Sequence, residues 1–250
     1  MKTQKFDKKT KDFFDRKVYY GKGVDLSPDP KHFTPARKYE FDKFIKFFNL
    51  PKSAKLIELG SGYGRFVLPF LHLGYHVTAV DVSQNSLNII KAEAKKYHLD
   101  KNLKTLRSDF QKTAFNSIYD AAFCISTFHL LGATEKKRVE TLKNLVKTVK
   151  KGGQVLVIEP NPLNPLYYPF YFFSKEVSWN VEKHFMKSNE ANLRKIFKNL
   201  GLKNIKVTYV GFLPMRFIEN FPFVAQLNDI LSKTPILNKF SSFIYIKGTC

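Results

Sequence analysis

Three glycines at alternate positions, Gly60, Gly62 and Gly64, follow an acid at Glu58, and a second acid, Asp81, comes later. Those types in that spacing describe a seat for a nucleoside. Glycine lets the backbone turn sharply and carries no Cβ to block a ligand. A helix opening behind the turn offers unpaired N–H groups to the ligand's polar end. An acid roughly 20 residues after the glycines can accept both ribose hydroxyls. Ser61 inside the turn and Val82 beside Asp81 border the same space.

The surrounding residues supply the elements that hold this seat. Leu56-Ile57-Glu58-Leu59 reads as a buried strand. Arg65 to Leu73 reads as a helix stopped by Gly74, and His76 to Val80 as a second strand ending on Asp81. Pro69 is tolerable there only if the helix starts late. This is the grammar of a nucleotide-binding βαβ unit. The dinucleotide fingerprint G-x-G-x-x-G fails, because its third glycine would fall at Arg65.

The observed form, E-x-G-x-G-x-G from Glu58 to Gly64 followed by Asp81, resembles the first motif of the class I S-adenosylmethionine-dependent methyltransferases. The resemblance covers residues 54–160 well and 182–210 loosely. It implies S-adenosyl-L-methionine as cofactor. It also implies an α/β, Rossmann-like doubly wound fold: a mostly parallel seven-stranded sheet with a C-terminal antiparallel hairpin and helices on both faces. Asp109 and Phe110, closing a third strand at 103–107, resemble the adenine-binding motif, the acid taking the amino group and Phe110 packing on the ring. Tyr19 or Tyr20 could close over the cofactor, as N-terminal segments of the family do, or dock on the core.

A helix from Pro35 carries Phe41, Phe44, Ile45 and Phe48 at helical spacing. Ser83 reads as the N-cap of a helix through Tyr97. A fourth strand, Tyr119 to Ser126, is nearly all apolar, as a central parallel strand should be. Its carboxyl end, from Ser126 through Thr127, Phe128 and His129, should face the reacting methyl. No Asn-Pro-Pro-Tyr run follows it, and Asn161-Pro162 and Asn164-Pro165 come one strand too late, which argues against base-amine chemistry. A helix over 134–150 ends at Lys151-Gly152-Gly153, and a fifth strand, Gln154 to Ile158, leads to Glu159. Ser188 reads as the cap of a helix closed by Gly201, with strands at Ile205–Val210 and Phe243–Ile246.

His129, His184 and Glu159 are the candidate general bases, by position alone. The histidine of Glu182-Lys183-His184-Phe185 also resembles one found in small-molecule and quinone-type methyltransferases. A base is needed only if the nucleophile starts protonated, and a hydrogen-bonded structural role is the alternative for each histidine.

The whole chain reads as one methyltransferase domain: a basic, aromatic cap (1–50), a cofactor core (54–160), an aromatic insertion (161–187) and a substrate-side part (188–250). The stretch Leu163–Phe173 is a substrate lid, an interfacial anchor or a packed insertion. The 42 Lys and Arg against 21 Asp and Glu give +21, which fits RNA or an anionic membrane face, or lysines that only solvate helices. No DNA motif stands out, and oligomeric state is not legible. Cys124 and Cys250 suggest neither a disulfide framework nor a zinc site, so a reducing cytoplasm, with a peripheral membrane position as a variant, is the expected location. The expected acceptor is a small aromatic or lipid-like molecule; RNA methylation and a non-catalytic cofactor-binding protein are the alternatives.

Overall fold

The computed structural model describes residues 25–110, 116–169 and 179–250. The helix α1 (Pro35–Phe48) precedes β1 (Lys55–Leu59), α2 (Val67–His72), β2 (His76–Asp81), α3 (Gln84–Lys96) and β3 (Leu103–Arg107). Then come β4 (Tyr119–Ile125), α4 (Glu135–Lys147), β5 (Val149–Pro160), α5 (Trp179–Glu182) and α6 (Glu190–Asn199). The chain closes with β6 (Lys203–Val210), α7 (Arg216–Asn220), α8 (Phe223–Lys233) and β7 (Phe243–Thr249).

The seven strands lie in the order β3-β2-β1-β4-β5-β7-β6. The first five pair in parallel, and β7 runs antiparallel to both β5 and β6. Chain order reverses between β1 and β4, so their carboxyl ends flank the crevice in which open α/β sheets take ligands. Strand periodicity sends alternate residues to opposite faces. Leu56, Ala121, Phe123 and Leu156 meet the phenylalanines of α1, while Ile57, Ala122, Cys124 and Val155 meet α4 and α6. Phe44 and Phe48 sit edge-on to Phe123, with centroids 5.4 and 5.7 Å apart.

Several boundaries differ from expectation, each for a local reason. Helix α2 opens at Val67 rather than Arg65. Pro69 has no N–H for the Arg65 carbonyl four residues back. That carbonyl instead accepts from Arg37 Nη2 on α1 at 3.2 Å. Helix α4 stops at Lys147, because β5 begins at Val149, before the glycine pair. Gly152 (φ +82°) and Gly153 lie within the strand, where the β4–β5 register shifts. A Cβ on Gly153 would meet the Asp120 carbonyl at 2.6 Å. Helix α6 is capped by Asn189, not Ser188; its side chain accepts from the Asn192 N–H at 2.9 Å. Ser83 does cap α3, accepting from the Ser86 N–H at 3.2 Å.

The Asn-Pro-Leu-Asn-Pro-Leu run after β5 is a double latch. Asn161 Nδ2 donates to the carbonyls of Lys239 and Ser241, both at 2.8 Å. Asn164 Nδ2 donates to the Phe212 carbonyl at 3.1 Å. The two side-chain oxygens accept from the N–H groups of Leu163 and Leu166. The β6–β7 connection is thereby tied to the carboxyl end of β5. In the aromatic insertion, Tyr167 packs against Phe185 and Phe243. Residues 170–173 of that stretch, and Tyr19 and Tyr20, lie outside the described residues.

Candidate active site

The glycine loop is fixed from two sides. Gly60 and Ser61 donate their N–H groups to the Val80 carbonyl at 2.8 and 3.1 Å, which ties the loop to β2. The Asp81 carboxylate accepts from the Gly62 N–H at 2.8 Å and from the Ser83 N–H at 2.9 Å. One side chain therefore staples the loop after β1 to the turn after β2. The three glycines have different reasons to be glycine, although all have positive φ. A Cβ on Gly60 would lie 2.3 Å from Thr127 Cγ2, and one on Gly64 would lie 2.9 Å from Ile90 Cγ1. A Cβ on Gly62 would meet nothing within 4 Å. Gly60 and Gly64 admit neighbouring elements, whereas Gly62 faces open space.

Glu58 closes β1 with its side chain buried. Its Oε2 and the Ser61 Oγ find no hydrogen-bond partner among the described residues. Burial, with the nearby Asp81 adding to it, holds the Glu58 carboxyl well above the usual carboxylate range. Two orphaned polar atoms beside an open glycine are what a polar ligand would satisfy. Val82 is half-buried beside them, and its carbonyl accepts from Arg107 Nε at 3.2 Å.

The third-strand residues separate. Asp109 is exposed at the end of β3. Phe110 is fully buried, in the core cluster that also holds Ile57, Leu59 and Val80. Its left-handed backbone (φ +59°) turns the ring into the core. Ser126 also has positive φ (+48°) and donates its N–H to the Ile158 carbonyl at 2.7 Å.

The candidate bases form a charge cluster at the carboxyl ends of β4 and β5. His129 is 1% exposed and Glu159 is fully buried. His129 Nδ1 lies 2.7 Å from Glu159 Oε2, and Nε2 lies 2.8 Å from Glu182 Oε2. Glu159 also accepts the N–H groups of Phe128 and His129, at 2.9 and 3.3 Å. Burial alone would lower the His129 pKa, but the two carboxylates outweigh it and push it up to about 10. The ring is an imidazolium donating from both nitrogens, so at neutral pH it has no lone pair with which to take a proton. Glu159 spends its oxygens on positioning. His184 moves the other way: burial first, then Arg138, Lys183 and His129, lower it to about 4. Glu182 opens the Glu182-to-Phe185 run, but nothing in the local sequence marks it as a partner of His129. Cys124 lies in the field of Glu159 and Glu58, and burial chiefly drives its thiol up. Among the described residues no cluster of His, Cys, Asp and Glu could hold a metal ion.

With this geometry in place, the relatives can be set beside it. Residues 56–153 match the family described as "Methyltransferase domain". That stretch of the chain is similar to methyltransferase domains. A ubiquinone biosynthesis O-methyltransferase of Rickettsia akari is 24% identical over 131 residues, 52% of this chain and 50% of that protein. A probable S-adenosyl-L-methionine-dependent methyltransferase of Haemophilus influenzae is 27% identical over 141 residues, 54% of this chain and 48% of that protein. The chain thus spans about half the length of the curated relatives it matches. The fold matches a possible histamine N-methyltransferase of Thermotoga maritima with TM-score 0.61 at 17% identity, covering 96% of this chain and 99% of that one. It also matches phosphoethanolamine N-methyltransferase 2 of Haemonchus contortus, solved with S-adenosylhomocysteine, with TM-score 0.65 at 14% identity over 96% of this chain and 60% of that one.

S-adenosylmethionine is the cofactor of this methyltransferase family. The residues present fit it: an acid, Asp81, held against the glycine loop, an open Gly62, and the unsatisfied Glu58 Oε2 and Ser61 Oγ.

Proposed function

We propose that the chain transfers a methyl group from S-adenosylmethionine to a small acceptor, aromatic or lipid-like, in the crevice between the carboxyl ends of β1 and β4. The observation that carries this reading is the Asp81 staple to Gly62, beside two unsatisfied polar atoms. The cofactor supplies a methyl on a sulfonium, an excellent leaving group. The protein's part is to bind, align and exclude water. Asp81, with Glu58 and Ser61, holds the adenosyl and amino-acid ends. The ends of β4 and β5 shape the acceptor side.

His129 and Glu159 serve this site as positioning residues, because the clamp fixes the loop that follows β4. His184 is left neutral at pH 7, but a pKa lowered to about 4 makes it a weak base, so neither histidine is assigned the proton of an acceptor such as a phenol. The ubiquinone O-methyltransferases among the relatives favour such an acceptor. The test is calorimetric titration with S-adenosylmethionine, then incubation of cell extract with methyl-labelled cofactor and partition into lipid, small-molecule, RNA and protein fractions. Label in the lipid or small-molecule fraction supports the proposal. Label in RNA replaces the acceptor class, and cofactor binding without label in any fraction assigns the chain a non-catalytic role.

A further inference from the structure

The β6–β7 connection turns an apolar face outward. On α8, Phe223, Leu227 and Ile230 recur at i, i+4 and i+7, one face of a helix. That face is not the buried one. Phe223 is 64% exposed and Ile230 62%, while Val224 and Asn228 on the opposite side are buried. The surface continues on both flanks. Phe217 of α7 and Phe221 just after it are exposed, the Phe221 ring centroid lying 6.1 Å from that of Phe223. Beyond α8, Ile236 is 73% exposed, with Leu237 and Phe240 after it. Ile236 holds φ +72°, a conformation that β-branched residues rarely adopt. Soluble monomers seldom leave so many large apolar side chains together, and where they do the patch binds something.

The charges say what. Lys233 and Lys239 are exposed on the rim of the patch. The acid on α8, Asp229, is turned inward, where it accepts from Tyr39 Oη at 2.8 Å and pairs with Lys43 at 2.5 Å. Glu219 is the exposed acid beside the patch. The chain as a whole carries +21. A second copy would set like charges against each other across a two-fold contact. An anionic bilayer takes apolar side chains and lysines together, as interfacial amphipathic helices do. Position agrees. The Asn161 and Asn164 latches tie this connection to the carboxyl edge of the sheet, the edge that carries the cofactor loop.

We propose that α7, α8 and the turn at 237–240 form an interfacial docking surface for an anionic lipid bilayer. The proposal does not depend on methyl transfer, so a chain unable to bind the cofactor would still dock. The test is co-sedimentation of the full chain with phosphatidylcholine vesicles, with and without phosphatidylglycerol. Binding is expected only with phosphatidylglycerol, and it should weaken as salt rises. Phe223→Ser/Ile230→Ser/Ile236→Ser should reduce it about tenfold or more. Lys233→Glu/Lys239→Glu should reduce it several-fold. Ile236→Ser alone, outside any helix, should give a smaller loss without touching α8. Leu73→Ser, at an exposed residue after α2, should bind like wild type. The proposal is overturned if the wild type stays in the supernatant. It is equally overturned if the triple variant still binds fully. A dimer that the triple variant dissociates, without vesicle binding, would assign the face to self-association instead.

Discussion

The two halves of the crevice are built by different means. The cofactor side, from Glu58 to Ser83, is made of backbone. Tight turns, three glycines and one carboxylate hold it, and the bonds that tie the glycine loop to β2 and Asp81 to both turns span about 20 residues or fewer, as in any nucleotide-binding βαβ unit. The acceptor side is made of side chains reaching across the fold. His129 meets Glu182, 53 residues on, and Asn161 meets Ser241, 80 residues on. The first kind of site can be moved between proteins as a motif. The second kind depends on the fold of one particular chain.

Breaking the acceptor side should cost the most stability. His129→Gln removes a buried charge held between two carboxylates and should destabilise by about 4 kcal/mol in chemical denaturation. The pH dependence has a fixed sign. A histidine whose folded pKa is raised to about 10 from 6.5 adds stability that is full below pH 6.5. That stability is lost as pH rises towards 10, so the gap between wild type and variant should shrink over that window.

On the cofactor side the glycines should divide. Gly60→Ala forces a Cβ into Thr127 at positive φ and should cost about 3 kcal/mol of stability. Gly62→Ala carries only the backbone strain, about 1 kcal/mol, yet should weaken cofactor binding, because its Cβ enters the open space. Equal losses of stability for the two would erase the distinction between packing glycine and ligand-facing glycine. Asp81→Ala should lower S-adenosylmethionine affinity about a hundredfold by calorimetry, from the charged hydrogen bonds it would forfeit. Asn164→Ala should cost about 2 kcal/mol, by leaving the Phe212 carbonyl without this donor. Ser83→Ala, the loss of one helix cap, should cost about 1 kcal/mol.

The same division decides what a reader of the bare sequence can see. All seven strands were legible, the buried central ones β1, β2, β4 and β5 most plainly, because a buried parallel strand is an apolar run. The Asp81 position was legible because it ends the second strand of a βαβ unit that opens on the glycines. The burial of Phe110 was not legible, because the residue type fits stacking and burial equally, and only its left-handed backbone sends the ring inward. Asn161 and Asn164 were legible only as Asn-Pro pairs one strand too late for base-amine chemistry; their partners lie in a connection whose fold has no sequence signature. The outward face of α8 was hidden for a related reason. Its apolar spacing is that of any core helix, and only the packed structure tells which side meets the sheet.

Cys124 offers a way to watch this architecture at work. It sits in the middle strand with its thiol driven up by burial and by Glu159 and Glu58, while Cys250 is only half-covered. An alkylating reagent should therefore consume Cys250 quickly and leave Cys124 nearly inert. Slow labelling at Cys124 would then time the rare separation of the central strands, and a bound ligand spanning β1 and β4 should lengthen that clock.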